Sequence, residues 1–401
     1  MTHTVSPAGG PDAAHLDGLP HVDLFDLRSR LDAAERTRLE TIETHLEEHV
    51  RRQTIEPWNR EEFAPELLPG LGALGLGEVF TDGSSLLFQG LAHAALARCD
   101  LSISALIGIH NELNVGTIEH LGSEAQRERW LPRMKRLESL GAFCLTEPEH
   151  GSDIAGGLET SATLEDDGWV IRGTKRWIGA GTLADVALVW ARDTADDEIR
   201  CFLVPTDTPG YRATKIGNKI GLRIMQNADI VFDDVRVPQD ALLPGAQSFG
   251  AANDLLRASR AWVGWQAVGA QQGLLEILRR YTLSRHQFGR PLAKLQLIQQ
   301  ALSHIAGNLA ASIGMMSEVT RLQEEGRLEM MHAAMAKATT TRLGRESAAM
   351  GRDAMGGNGI VSDFEMAKMM NDLEAIYTYE GTYGINSLIV GRGLTGLSAF
   401  V

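Results

Sequence analysis

The chain has 401 residues, 44% of them apolar, with 38 Lys and Arg against 52 Asp and Glu for a formal net charge of −14. That length supports two or three cores of ordinary globular composition, and the acidity argues against nucleic acid or an anionic membrane as the main partner. Cys99, Cys144 and Cys201 are far apart and show no metal spacing, the start lacks a secretory pattern, and no run reaches 18 uncharged apolar residues, so the expectation is a cytoplasmic protein with reduced thiols and no membrane span.

Residues 1–22 carry Pro, Gly and His without a period and read as a flexible tail. A helical region is expected over 23–140. In 31–50 the apolar residues Leu39, Ile42 and Leu46 fall three and four apart, with Leu31 eight positions before Leu39, as one buried helical stripe requires. Further helices are expected at 62–76, 86–98, 101–121 and 124–137. Over 141–250 the period changes. Runs at 158–164, 169–173, 185–191, 200–204 and 228–232 are rich in β-branched and aromatic residues and are separated by Asp-Asp-Gly and Pro-Gly signals. They read as a compact antiparallel β unit. Over 251–401 the helical period returns in four long segments, which suggests a bundle.

Several stretches carry side chains suited to chemistry, each with a plain alternative. Glu380 lies in IYTYEGTYGI, where a helical pattern meets a Gly-Thr turn. A carboxylate among aromatic and small apolar residues is costly unless paired or needed; the alternative is a surface glutamate at a helix end. TEPEHGSD (146–153) places Thr146 and Ser152 hydroxyls near free amides, which suits a polar heterocycle or simply a loop. Trp177 reads equally as a core aromatic or as cover for a flat ring. Arg285, in RHQFG with Phe288, offers a planar fork for phosphate or a solubilising helix end. Gly356 and Gly357 expose amides in a turn, but no strand precedes them, so this is not a dinucleotide fingerprint. No histidine cluster has metal spacing, and no nucleophile elbow supports a hydrolase.

Taken together, FCLTEPEHGSD (143–153), KRWIGAG (175–181), SRHQFGRPLAKLQLIQ (284–299), AMGGNGI (354–360) and NDLEAIYTYEGTYGI (371–385) resemble the flavin-dependent acyl-CoA dehydrogenases in order and spacing, from about residue 25 onward. The glutaryl-CoA dehydrogenase branch is the nearest in pattern. The resemblance implies an α+β fold: an N-terminal helical domain, a middle antiparallel β domain and a C-terminal four-helix bundle. It implies FAD, an acyl-CoA or acyl-carrier thioester as substrate, a homotetramer, and an electron-transfer flavoprotein or another acceptor. Glu380 matches the base that removes the α-proton while the β-hydrogen leaves as hydride to the flavin. Thr146, Trp177, Arg285, Phe288, Gly356, Gly357 and Thr382 match FAD contacts, of which Arg285, Phe288 and the two glycines reach across a subunit interface. Ser152 and Arg260 match positions on the CoA side, and Tyr379 borders the acyl site.

Three departures stand out. Where the family commonly has a threonine bonded near the flavin, this chain has Gly179, which could weaken polarisation of the flavin or open room beside it. Ser104 falls where the glutaryl-CoA enzymes carry an arginine for the distal carboxylate, and SISALIGIHNEL holds no arginine at all. Tyr383-Gly384-Ile385-Asn386 replaces the usual polar run. These point to a neutral acyl thioester rather than glutaryl-CoA, with His110 or Glu112 helping to select it. The competing classes are a decarboxylating glutaryl-CoA dehydrogenase, a flavin oxidase or monooxygenase on the same fold, and a non-catalytic FAD-bearing protein. The retained Glu380 speaks against the last two.

Overall fold

Helix caps and apolar stripes set the first layer. The computed structural model describes residues 22–399. The expected tail therefore lies outside the described residues except for Val22, which is buried in the helical core. Helix α1 (Ala33–His49) starts at Asp32, whose carboxylate accepts the Glu35 amide at 2.8 Å, and it buries Leu39, Ile42 and Leu46. Short helices α2 (Ile55–Arg60) and α3 (Leu68–Ala73) lead to α4 (Leu86–Cys99), capped by Ser85, and α5 (Leu101–Gly108), capped by Asp100.

The helix expected over 101–121 is interrupted. Between α5 and α6 (Gly116–Leu121) the segment Ile109–Val115 widens into a π-helix. Two buried amides act on its backbone. Asn111 donates to Leu76 and Ile107 carbonyls, and Asn114 donates to Ile109 and Gly141 carbonyls. Side chains that draw carbonyls out of the ladder in this way distort a helix. Helix α7 (Glu124–Lys135) begins with a reciprocal capping box between Ser123 and Gln126.

The sheet comprises β1 (Gly141–Cys144), β2 (Ser161–Glu165), β3 (Gly168–Ile178), β4 (Val186–Asp193), β5 (Ile199–Pro205), β6 (Tyr211–Lys215) and β7 (Ala228–Val237), with a single turn of helix, α8 (Ile154–Gly157), before β2. Its order is β1-β4-β2-β3-β7-β6, with β5 also paired to β4. The expectation of a purely antiparallel unit is corrected here. β1 runs parallel to β4 from Gly141↔Val186 to Cys144↔Val189, and β2 is parallel to β4 at Ser161↔Arg192. A hairpin reading cannot supply those pairings, because the partners are separated by other strands. Strand β6 was not expected: YRATK is a short edge strand paired only with β7, and its alternation is weak, with Tyr211 and Ala213 only half-buried.

The C-terminal region holds α9 (Phe249–Ser284), the β8–β9 hairpin (His286–Gln287 and Arg290–Pro291), α10 (Gln296–Glu324), α11 (Met330–Ala354), α12 (Met366–Thr378) and α13 (Tyr383–Thr395). The sheet has its own apolar interior, built on Ile171, Val189, Phe202 and Ile230. One continuous core runs through α1, α4, α5, α9, α10 and α12, so both helical regions share it. Close approach of α4 and α9 depends on missing side chains: a Cβ on Gly269 would lie 2.0 Å from the Ala94 carbonyl oxygen, and one on Gly90 would lie 2.4 Å from the Trp265 indole nitrogen. Among the described residues no helix is long and apolar enough to cross a membrane.

Candidate active site

A cavity of about 1930 Å³ opens where the sheet meets α9, α12 and α13. Its wall includes Thr146, Ser152, Trp177, Gly179, Arg260, Tyr379, Glu380 and Thr382. Most of the residues singled out in the sequence thus converge on one concave space, although they are spread over more than 230 positions.

Glu380 lies just past the end of α12 with φ 53°, followed by Gly381 at φ 82°. Two successive left-handed residues turn the chain sharply, and the second position requires glycine. Ser259 Oγ, on α9, donates to Glu380 Oε2 at 2.7 Å. Oε1 has no hydrogen-bond partner among the described residues. Burial raises the Glu380 pKa above the usual carboxylate value, against the opposing pull of the Ser259 hydroxyl and the charges of Arg260 and Lys337. This is a half-buried carboxylate in a cavity wall, not a surface glutamate at a helix end.

The turn is held from behind. Asn386, buried on α13, donates through Nδ2 to the carbonyls of Gly381 at 2.7 Å and Thr382 at 3.1 Å. Lys337, buried on α11, donates to the carbonyls of Tyr377 at 2.8 Å and Gly381 at 2.7 Å. Thr382 caps α13 by accepting the Ile385 amide. The altered run after the base therefore has a structural use: Tyr383 stacks on Tyr377 with centroids 5.5 Å apart, and Asn386 braces the turn.

The motif beginning at Thr146 divides its labour. Buried Glu147 accepts from Lys175 Nζ at 2.8 Å and from the amides of Glu159 at 2.7 Å and Thr160 at 2.9 Å. The loop is thereby locked to β3 and to the start of β2. The Thr146 carbonyl accepts the Arg176 amide at 2.9 Å, which sets Thr146 beside the Trp177 turn. Trp177 has φ 64° and is 52% exposed, its carbonyl accepting from Asn227 Nδ2 at 3.0 Å. A half-exposed indole held on a fixed backbone beside a threonine suits the face of a flat heterocycle. The wall and volume fit a flavin. The room expected beside Gly179 is already taken: a Cβ there would meet Ile109 at 3.1 Å and Met225 at 3.3 Å.

Other expected residues fall elsewhere. Ser104 is fully buried between α5 and α9, accepts from Gln266 Nε2 at 3.0 Å and is not part of the cavity wall. Its assignment to substrate contact is corrected on that ground. It reaches the site only through Gln266, whose Oε1 accepts the Tyr379 hydroxyl in a short hydrogen bond. His110 is buried against Met134, with Nε2 2.9 Å from that carbonyl oxygen, and does not line the cavity either.

Glu112 comes from the π-helical segment, between the cavity residues Ile109 and Leu113. Burial and the nearby Glu380 charge push its pKa up to about 8. Arg285 and Phe288 lie on the exposed β8–β9 hairpin, and Gly356 and Gly357 on an exposed turn after α11. The two are joined at one end of the bundle through Tyr281, whose hydroxyl oxygen accepts from Asn358 Nδ2 at 3.0 Å, and none of the four lines this cavity.

Residues 32–138, 142–235 and 249–395 match, in turn, the acyl-CoA dehydrogenase N-terminal domain, middle domain and C-terminal domain. The chain belongs to the acyl-CoA dehydrogenase family. It is 30% identical to the mitochondrial short-chain specific acyl-CoA dehydrogenase of Rattus norvegicus over 380 residues, covering 89% of this chain and 91% of that one. It is 31% identical to the isobutyryl-CoA dehydrogenase of Dictyostelium discoideum over 352 residues, covering 85% and 84%. Among solved structures, a glutaryl-CoA dehydrogenase from Mycobacterium smegmatis superposes with a TM-score of 0.90 at 36% identity, covering 96% of this chain and all of that one. A glutaryl-CoA dehydrogenase of the same organism in complex with FADH2 gives 0.91 at 33% identity, covering 95% and 99%. This acyl-CoA dehydrogenase family member thus keeps the helical, sheet and helical-bundle layout along its described length.

Three contributors were not singled out in the sequence. Ser259 adjoins the expected Arg260 but carries no motif of its own. Asn386 sits in the altered run. Lys337 left the clearest trace: it is a lone lysine on the apolar stripe of α11, level with Ala333, Thr340, Thr341 and Gly344, all buried.

Proposed function

We propose that the protein is an FAD-dependent acyl-CoA dehydrogenase acting on a neutral acyl thioester, with Glu380 as the base. The observation that carries the reading is the Glu380 carboxylate in the cavity wall, with one oxygen bound by Ser259 and the other without a partner among the described residues. A base must be partly desolvated and fixed to take a weakly acidic α-proton. Trp177 and Thr146 form a wall that would hold the cofactor. FAD bound there supplies the hydride acceptor. Tyr379, Ile109, Leu113 and Ile385 present apolar surface to the acyl chain.

Similarity to the two Mycobacterium smegmatis structures favours a second reading, decarboxylating glutaryl-CoA dehydrogenase. Against it stands the absence of any arginine from SISALIGIHNEL, the stretch in which the resemblance places the cation for a distal carboxylate. A distal carboxylate desolvated without a partner costs several kcal/mol, on the order of ~3–5. In the first reading the protein works as a homotetramer in the cytoplasm. Arg285, Phe288, Gly356 and Gly357 face a neighbour's FAD, and electrons pass to an electron-transfer flavoprotein or another acceptor. Anaerobic mixing of the FAD-loaded protein with a panel of acyl-CoAs tests the proposal through flavin bleaching. Neutral thioesters should bleach faster than glutaryl-CoA. Bleaching by none sinks the dehydrogenase reading, and carbon dioxide release from glutaryl-CoA faster than any neutral substrate reacts reverses the choice. Sedimentation of the loaded protein as a monomer would remove the tetramer.

A further inference from the structure

We propose that Lys337 is a positioning residue for Glu380, a buried ammonium that holds the turn carrying the base and favours the ionised form of its carboxylate. The inference rests on the reading of Glu380 given above. Lys337 occupies the inward stripe of α11, where an apolar side chain would be expected. An ammonium in that position loses its water and persists only if hydrogen-bonded. Its two bonds straddle the base. The Tyr377 carbonyl belongs to the last turn of α12, where carbonyls lack intrahelical partners. The Gly381 carbonyl lies just beyond Glu380.

One side chain on a separate helix therefore spans a turn whose Glu380 backbone is left-handed, a conformation unfavourable for a residue with a Cβ. Asn386 supports the same carbonyl from the other side, but it is uncharged. Among the described residues no carboxylate lies within salt-bridge distance of Lys337. Its charge is thus left to act on Glu380. The groups facing the pair are Ser259 and Arg260 from α9, Glu112 from the π-helical segment and the adjacent Tyr379. Burial brings the Lys337 pKa down to about 7, with the Glu380 charge opposing that fall and Arg260 adding to it. The ammonium is therefore only partly held near neutral pH, and its loss removes a cation from beside the base.

The test is an infrared titration of the Glu380 carboxyl in resting, FAD-loaded protein, its band assigned by disappearance in Glu380→Gln. Lys337→Met and Lys337→Gln, the second keeping donors without charge, should raise the midpoint by about one pH unit, the lower end of the effect of an adjacent opposite charge. Lys337→Arg should hold it near the wild-type value. The acid limb of the flavin-bleaching rate should move up in pH with the midpoint, at unchanged FAD content. An unmoved midpoint in either uncharged variant, or loss of folded protein in both, assigns Lys337 a purely structural role and overturns the proposal. The titration needs no substrate, so a wild-type protein that no thioester bleaches would sink the dehydrogenase reading and leave this test standing.

Discussion

Helix α12 is pinned at both ends by buried lysines, and the two ends use different chemistry. Near its start, Lys368 Nζ meets Asp100 in a short contact and Asp372 at 3.4 Å. Asp372 also accepts from Trp58 Nε1 at 2.8 Å and the Leu222 amide at 2.6 Å, and Asp100 caps α5 through the Ile103 amide at 2.8 Å. One cluster therefore ties the N-terminal helices, the loop at the cavity floor and α12. At the other end Lys337 binds carbonyls alone. Burial works against the charge of both lysines, but only at Lys368 do two carboxylates outweigh it and raise the pKa above the usual lysine value. A saturated ion cluster keeps its protons across ordinary pH and fixes geometry. An underpaired ammonium fixes geometry and can still respond to pH. The first suits a joint between regions, the second a site of proton transfer.

The largest effect should come from removing the base. Glu380→Gln keeps shape and the Ser259 contact, so FAD content and thermal midpoint should hold. Single-turnover bleaching under nitrogen should fall roughly 10³-fold or more, toward the top of the range for a positioned acid or base. Rapid bleaching by this variant would move the search to Glu112.

The opposite end of α12 should break differently. Lys368→Met leaves Asp100 and Asp372 buried without their cation, and removing one partner of a buried ion pair costs about 3–5 kcal/mol. Urea denaturation should show that loss, while the fraction that remains folded and FAD-loaded bleaches at close to the wild-type rate. A rate loss as large as that of Glu380→Gln would erase the distinction between the two ends.

Glu112 adds a pH signature. Its pKa rises to about 8 in the folded protein from an ordinary value of 4.5. Between those values the folded chain holds a proton that the unfolded chain has released. Its contribution to stability is complete below the unfolded value and is lost as pH rises through about 8. Glu112→Gln should therefore shrink the fall in thermal midpoint between pH 6 and pH 9, by about 2 °C or more. An unchanged fall would place Glu112 in water.

The smallest expected effect is at Ser104. Ser104→Ala removes one acceptor from Gln266 and should cost about 1 kcal/mol in denaturation. The ratio of bleaching rates for neutral and glutaryl thioesters should stay the same, because Ser104 does not line the cavity.

Local pattern was enough for most elements. The stripe of α1 and the β-branched strands have their causes within a few residues, and they read correctly from the chain. Glu380, Thr146 and Trp177, marked in the chain by turn residues and aromatics, are brought together in the wall of one cavity. The π-helical break at 109–115 was not legible, since it depends on Asn111 and Asn114 reaching the carbonyls of Leu76 and Gly141. The parallel pairing of β1 and β2 with β4 was hidden for the same reason: the partners are distant in sequence, with another strand between them.

The sequence by itself determined the family, the order of helical, sheet and helical regions, and the identity of the carboxylate at the site. Only the tertiary structure decided which side chains surround that carboxylate. Ser259 and Lys337 lie 121 and 43 positions away, and Ser104, expected at the substrate, is sealed behind Gln266. The ionisation of a buried acid depends on solvent, charges and donors gathered from several helices. None of these has a local pattern, so no reading of neighbouring residues could have supplied them.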